Sequence, residues 1–180
     1  MWNLPVSVKI DNKEAVIRNN CDYRVILDVI TALNDEELEI QYRFECALRI
    51  FYENVEEITN IKKAIKEMLK IINLGEDVKE ENKPQIMNWE HDFNLLAAPV
   101  SRVLGYSVRN CNNYTHWYDF IGAYMEIGDC AFSNIISIRN KRLKGKKLEK
   151  WEQEFYRENK KIIDLPHKLT AEEEEFLNSE

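Results

Sequence analysis

The sequence predicts a mainly α-helical chain: a bundle-like helical domain with a short β-hairpin at its N-terminus. Three observations predict it. Glycine and proline are scarce, at 5 and 4 of 180 residues, which disfavours a loop-rich β fold. Apolar residues recur at three- and four-residue spacing through most of the chain, as they do on the buried face of a helix. Only near the N-terminus do apolar and polar residues alternate, as they do in a half-buried strand.

That alternation is Val6, Val8 and Ile10, followed by Asp11-Asn12-Lys13 and then Glu14 to Arg18. It reads as two strands and a tight turn, too short to be stable without helices to lean on. Asp22 is placed to cap a helix that turns Ile26, Val29, Ile30 and Leu33 to one side. A second helix carries Ile40, Phe44, Ala47, Leu48 and Phe51. Thr59 or Asn60 caps a third, with Ile61, Ala64, Ile65, Met68, Leu69 and Ile72 inward, and Gly75 is the expected left-handed stop.

A further helical segment runs from about Gln85 to Leu104, with a kink or break expected at Pro99, since proline lacks the N–H donor and clashes one turn back. Tyr114 to Ile127 is helical, with Trp117, Phe120, Ile121 and Tyr124 on one side, and Gly128-Asp129 ends it. Phe132, Ile135, Ile136 and Ile138 form the next apolar stretch, which leads into basic residues. Leu148, Trp151, Phe155 and Ile162 mark one last long helix.

The length fits one domain, with or without two lobes, and suffices for a core that needs neither metal nor disulfide. The expected organisation is 1–75 as hairpin plus helices, 76–84 as a charged mobile linker, 85–168 as an aromatic and basic helical half, and 169–180 as an acidic tail. The net charge of −7 argues against nucleic-acid binding by the whole chain. Cys21, Cys46, Cys111 and Cys130 show no paired spacing, so reduced thiols are expected and a zinc ribbon is not. No signal peptide and no membrane-length apolar run is visible, which predicts a soluble intracellular protein.

No motif carries chemistry. Glu90 and His91 are adjacent and cannot share a helix face. Cys111 and His116 do not have a zinc spacing. Nucleotide-binding glycine motifs and a nucleophile elbow are missing, and His116 has no serine in a nucleophile context. The expectation is no enzyme activity, no cofactor and no metal.

Two groups stand out instead as partner-binding candidates. One is the aromatic set Trp117, Tyr118, Phe120 and Tyr124, of which Tyr118 falls off the helical stripe and is expected to face outward. The other is the basic stretch Arg139, Lys141, Arg142, Lys144, Lys146 and Lys147, read as an exposed connection between two helices. It suits phosphate or an acidic protein, although no aromatic within it offers a base-stacking surface.

The order of features resembles a family of tailed phages and prophages known as gene product fifteen. The residues that carry the resemblance are Asn3-Leu4-Pro5, Gly75 before the charged stretch, Asp92-Phe93, His116-Trp117-Tyr118-Asp119-Phe120, Ile138-Arg139, and Tyr156 with Leu165-Pro166. Thr115 stands where the family usually has leucine, and Pro99 is a second departure. The resemblance implies a tail assembly chaperone that binds the tape-measure protein or other tail proteins, and itself, before the tube polymerises. It implies a place in the host cytoplasm and not in the mature virion. Two other readings stay open: a binding protein that engages or inhibits a host defence factor, whose basic target would suit the acidic chain, and a nucleic-acid-binding helper using Arg139 to Lys147.

Overall fold

The N-terminal alternation folds as the hairpin it predicts. In the computed structural model, which describes residues 3–77 and 85–165, strand β1 (Ser7–Ile10) pairs antiparallel with β2 (Lys13–Val16), Ser7 opposite Val16 and Ile10 opposite Lys13. The turn residues Asp11 and Asn12 have φ of 47° and 68°. Two successive left-handed residues make the turn whose twist matches the strands, and Asp and Asn tolerate that region.

Eight α-helices follow among the described residues: α1 (Tyr23–Leu33), α2 (Ile40–Phe51), α3 (Ile61–Ile72), α4 (Trp89–Leu104), α5 (Trp117–Met125), α6 (Ala131–Leu143), α7 (Lys150–Glu158) and α8 (Lys160–Ile163). The chain is thus mainly helical with one small hairpin, as expected. Two caps are as read from the sequence. The Asp22 carboxylate accepts the Arg24 N–H, and the Asn60 side chain accepts the Lys63 N–H. No helix among these residues is long and apolar enough to cross a membrane.

Several expectations are corrected. Ile40 and Ile61 are 70% and 46% exposed; each is the first residue of its helix, one turn short of the buried stripe. The left-handed stop after α3 is Leu74 (φ 58°), with Gly75 one residue later. The N–H groups of Leu74 and Gly75 bond to the carbonyls of Ile71 and Lys70, a Schellman closure. α4 runs through Pro99 without a break, because Leu96, Ala97 and Val100 are buried on either side and their packing outweighs one lost hydrogen bond.

Helix α5 starts at Trp117, since His116 is in extended conformation and caps it. The last helix is two: Asn159 (φ −117°, ψ 24°) separates α7 from α8. Its expected apolar face also turns. Trp151 and Ile162 are exposed, while Glu152 and Ile163 are buried.

The described residues form two compact units. The first comprises 3–77 and 94–128. Here α1 packs on α2 and α5, α2 on α3, and α3 on β1. The second comprises 85–93 and 129–165, where α8 packs on α6 and α7. This differs from the expected division into 1–75 and 85–168, because 94–128 belongs with the N-terminal helices. The Tyr23 hydroxyl donates to the Val108 carbonyl at 2.6 Å, and the Trp117 indole donates to the Ile72 carbonyl at 3.0 Å. Of the charged stretch, only Glu76 and Asp77 are described; the acidic tail lies outside the described residues.

Candidate functional site

The two residue groups singled out in the sequence occupy different units. The aromatic group is in the first, and most of it is core. Trp117 and Phe120 are 2% and 0% exposed. Tyr23 stacks on Phe120 at 4.3 Å between ring centroids, and Trp117 lies 6.0 Å from Phe120. Such pairs add about 0.5–1.5 kcal/mol each beyond area burial. Neither Trp117 nor Phe120 therefore offers a surface to a partner in this fold. Tyr118, expected to face outward, is half-buried, as is Tyr124. The Tyr118 ring meets His116 edge-on at 5.2 Å, and burial raises its phenol pKa.

His116 is a positioning element. Its Nδ1 accepts the Tyr118 N–H at 3.0 Å, so Nε2 carries the proton and donates to the Pro5 carbonyl at 3.0 Å. Ahead of it, Asp22 and His116 form an antiparallel bridge, and the Tyr23 N–H bonds to the Thr115 carbonyl. Asp22 is 4% exposed and receives the Arg24 guanidinium at 2.7 and 2.8 Å. Burial raises the Asp22 carboxyl pKa, but bonds from Arg24 and from the N–H groups of Arg24 and Thr115, with the Arg24 charge, outweigh it; the net pKa lies below the ordinary value. This network joins α1 to the start of α5.

The basic group divides in the second unit. Arg139 is not part of an exposed connection: it lies inside α6 and is 5% exposed. All five of its N–H donors are used. Nη1 and Nη2 reach the two Asp92 oxygens at 2.7 and 2.9 Å; Nη1 also bonds to the Ile86 carbonyl, Nη2 to that of Ile162 and Nε to that of Ile163. One guanidinium thus ties the start of α4, the middle of α6 and the end of α8 together. Its charge is committed, and the burial that α6 imposes every third or fourth residue (Phe132, Ile135, Ile138, Arg139) is the reason.

Lys141 donates to the buried Glu152 at 2.6 Å, and that hydrogen bond, ahead of any other influence, raises the lysine pKa. Arg142 lies 4.2 Å over the Tyr156 ring and pairs with Asp164, whose carboxylate also accepts the Tyr156 hydroxyl at 3.0 Å. Gly145 (φ 63°) closes α6, with the N–H of Lys146 bonded to the Lys141 carbonyl. Beyond it Lys144, Lys146 and Lys147 are exposed and make no ion pair with a described residue. Of the six, Arg142 is also exposed but paired with Asp164.

Over the Arg139 network is a solvent-open cavity of about 300 Å³, walled by Leu143, Ile163 and Leu165 and rimmed by Arg142, Asp164 and Gln85. It is a candidate site on the second unit. It can hold an apolar side chain between aliphatic walls and offers one cation and one anion at its edge. Leu143, Tyr156, Asp164 and Leu165 were not among the sequence candidates. Tyr156 and Leu165 were nevertheless among the residues that carried the resemblance, as were Asp92 and Arg139, which the fold brings into contact.

No group of three or more His, Cys, Asp or Glu among the described residues is placed to hold a metal ion. The profile of the family described as Bacteriophage Gp15 protein matches residues 2–165. No curated protein and no solved structure shows significant similarity to the chain.

Proposed function

We propose that this chain, which belongs to the bacteriophage Gp15 protein family, acts by binding and not by catalysis, as an assembly factor that holds the tape-measure protein before tail-tube polymerisation. Membership of a phage family supports the phage setting. The observation that carries the binding role is the open cavity on the second unit, lined by Leu143, Ile163 and Leu165 with Arg142 and Asp164 beside them, Leu143 being half-exposed. A long helical partner with apolar stripes presents the side chains such a cavity takes. Release requires modest affinity, which a single shallow cavity with a polar rim supplies. Many copies along one filament gain avidity without strong single contacts.

Co-expression with the tape-measure protein of the same phage tests the role. The expected result is that the two co-purify and that the partner's soluble yield rises. If the partner stays insoluble and the chain elutes alone, the assembly role is wrong; a stoichiometric host enzyme as sole partner would assign the chain to host-factor binding instead.

A further inference from the structure

We infer that the cavity beside Leu143 takes an acidic amphipathic helix, one that inserts a single large apolar side chain and sets carboxylates against Lys144, Lys146 and Lys147. This rests on the binding role proposed above and specifies its partner chemistry.

Three observations carry it. The first is shape and lining. The volume of about 300 Å³ lies at the low end for ligand cavities, which suits one anchoring side chain. Its walls are aliphatic, and Leu143 is left 51% exposed at its edge.

The second is the state of the charges. Arg139 beneath the cavity is saturated by Asp92 and three carbonyls, and Arg142 is paired with Asp164. The floor and rim are therefore close to neutral. The uncompensated charge starts one residue past Leu143, at Lys144, and continues at Lys146 and Lys147. A partner that fills the cavity brings its flanks against those three ammonium groups, so acidic flanks are favoured.

The third is what the site disfavours. The rim offers phosphate no free cation, since Arg142 is paired with Asp164, and between Arg139 and Lys147 no aromatic side chain offers a stacking surface. Nucleic acid fits the lysines but not the cavity beside them.

The test uses the full chain with isotope-labelled methyl groups and two probes. One is a synthetic 18-residue helical peptide with Leu and Phe on one face and glutamates flanking them, matched with a copy in which lysines replace the glutamates. The other is a set of overlapping segments of the same phage's tape-measure protein. The expected result is that the acidic peptide shifts the Leu143 and Leu165 methyl signals and competes with the segments that bind. Leu143→Asp and the joint change of Lys144, Lys146 and Lys147 to Glu each weaken both by about tenfold or more. All four positions are exposed, so folding is checked by circular dichroism and is expected to be unchanged.

If the lysine copy binds as well as the acidic peptide, or the shifts map elsewhere, the inference is overturned. Tape-measure segments that bind a different surface overturn it while leaving the assembly role intact. An acidic peptide that seats in the cavity while no tape-measure segment binds supports the site and defeats the assembly role. Binding seen only after removal of residues 167–180 assigns the cavity to the chain's own acidic segment and overturns the inference. Duplex or single-stranded DNA that displaces the acidic peptide at physiological salt does the same.

Discussion

Asp92 and Arg139 are joined by two near-parallel hydrogen bonds, 2.7 and 2.9 Å long, in a setting where the carboxylate is 0% and the guanidinium 5% exposed. The same carboxylate accepts the Asn88 N–H at 3.0 Å, and the same guanidinium holds three backbone carbonyls. The pair therefore does more than neutralise itself. It also satisfies backbone groups at the start of α4 and the end of α8.

Removing one member should be severe. Asp92→Ala strands a buried guanidinium, and the expected loss is about 3–5 kcal/mol, read as a lower urea midpoint. Arg139→Lys should not rescue it, because an ammonium group cannot span five acceptors in a plane. Replacing both residues with apolar ones is often neutral for an isolated buried pair. Here the double replacement should remain destabilising, since the carbonyls of Ile86 and Ile163 lose their donor and that of Ile162 keeps only the His91 ring nitrogen. A double variant as stable as the parent would show that water or a backbone shift serves those carbonyls.

The acid limb of stability should be set in part by Asp22 and Glu152. At each, burial raises the pKa, but hydrogen bonds and the neighbouring cation, Arg24 or Lys141, outweigh it and leave the carboxyl below its ordinary value. The folded chain thus binds these protons less readily than the unfolded chain. The stabilisation is present above the unfolded values, about 3.9 for Asp and 4.3 for Glu, and is lost as pH falls through the lower folded values. Asp28 works the other way, since burial raises its pKa and its contribution disappears as pH rises through the folded value. Urea midpoints followed from about pH 7 down to pH 3 should fall in the acid range, and Asp22→Asn should fall less steeply than the parent. Parallel curves would remove Asp22 from the account.

Two helix ends invite opposite substitutions. Leu74 closes α3 from the left-handed region, where a side chain costs about 1 kcal/mol or more, and Gly145 closes α6 in the same geometry. A Cβ at Gly145 would meet nothing within 4 Å, so Gly145→Ala tests backbone strain without a clash. Thermal unfolding should show Leu74→Gly stabilised by up to about 1 kcal/mol and Gly145→Ala destabilised by a similar amount. A stabilising Gly145→Ala would mean that α6 ends differently in solution.

Much of this fold is legible because its signals are local. Asp22 and Asn60 act as caps whatever the rest of the chain does, and Asp11-Asn12 makes its turn from its own backbone preference. What the sequence hides is long-range. Arg139 stands in a run of basic residues, and nothing in that run says that Asp92, 47 positions earlier, neutralises it. Trp151 and Ile162 look like the core of one final helix, but Asn159 divides it, and the inward residues are Glu152 in α7, held by Lys141, and Ile163 in α8. The cavity is similarly hidden, since its walls come from the end of α6, the end of α8 and Leu165, the second residue beyond it.

The thiols provide a probe of the first unit that does not depend on any partner. Cys21 is 0% exposed, and its thiol is pushed up to about 12, first by burial and then by the Asp22 charge; a hydrogen bond from the Trp117 N–H only partly offsets this. At pH 8 a thiol with that value is ionised in about one chain in ten thousand, and the thiolate is the form that reacts. Cys111 is exposed. Brief alkylation of the native chain, read by mass spectrometry of peptides, should therefore modify Cys111 and leave Cys21 untouched until urea opens the unit. The rate at Cys21 then reports that opening, because Cys21 is fully buried and its sulfur accepts the Trp117 N–H beside the contact of α1 with α5. Equal native labelling of the two cysteines would mean that this contact opens far more often than its buried aromatic stack allows.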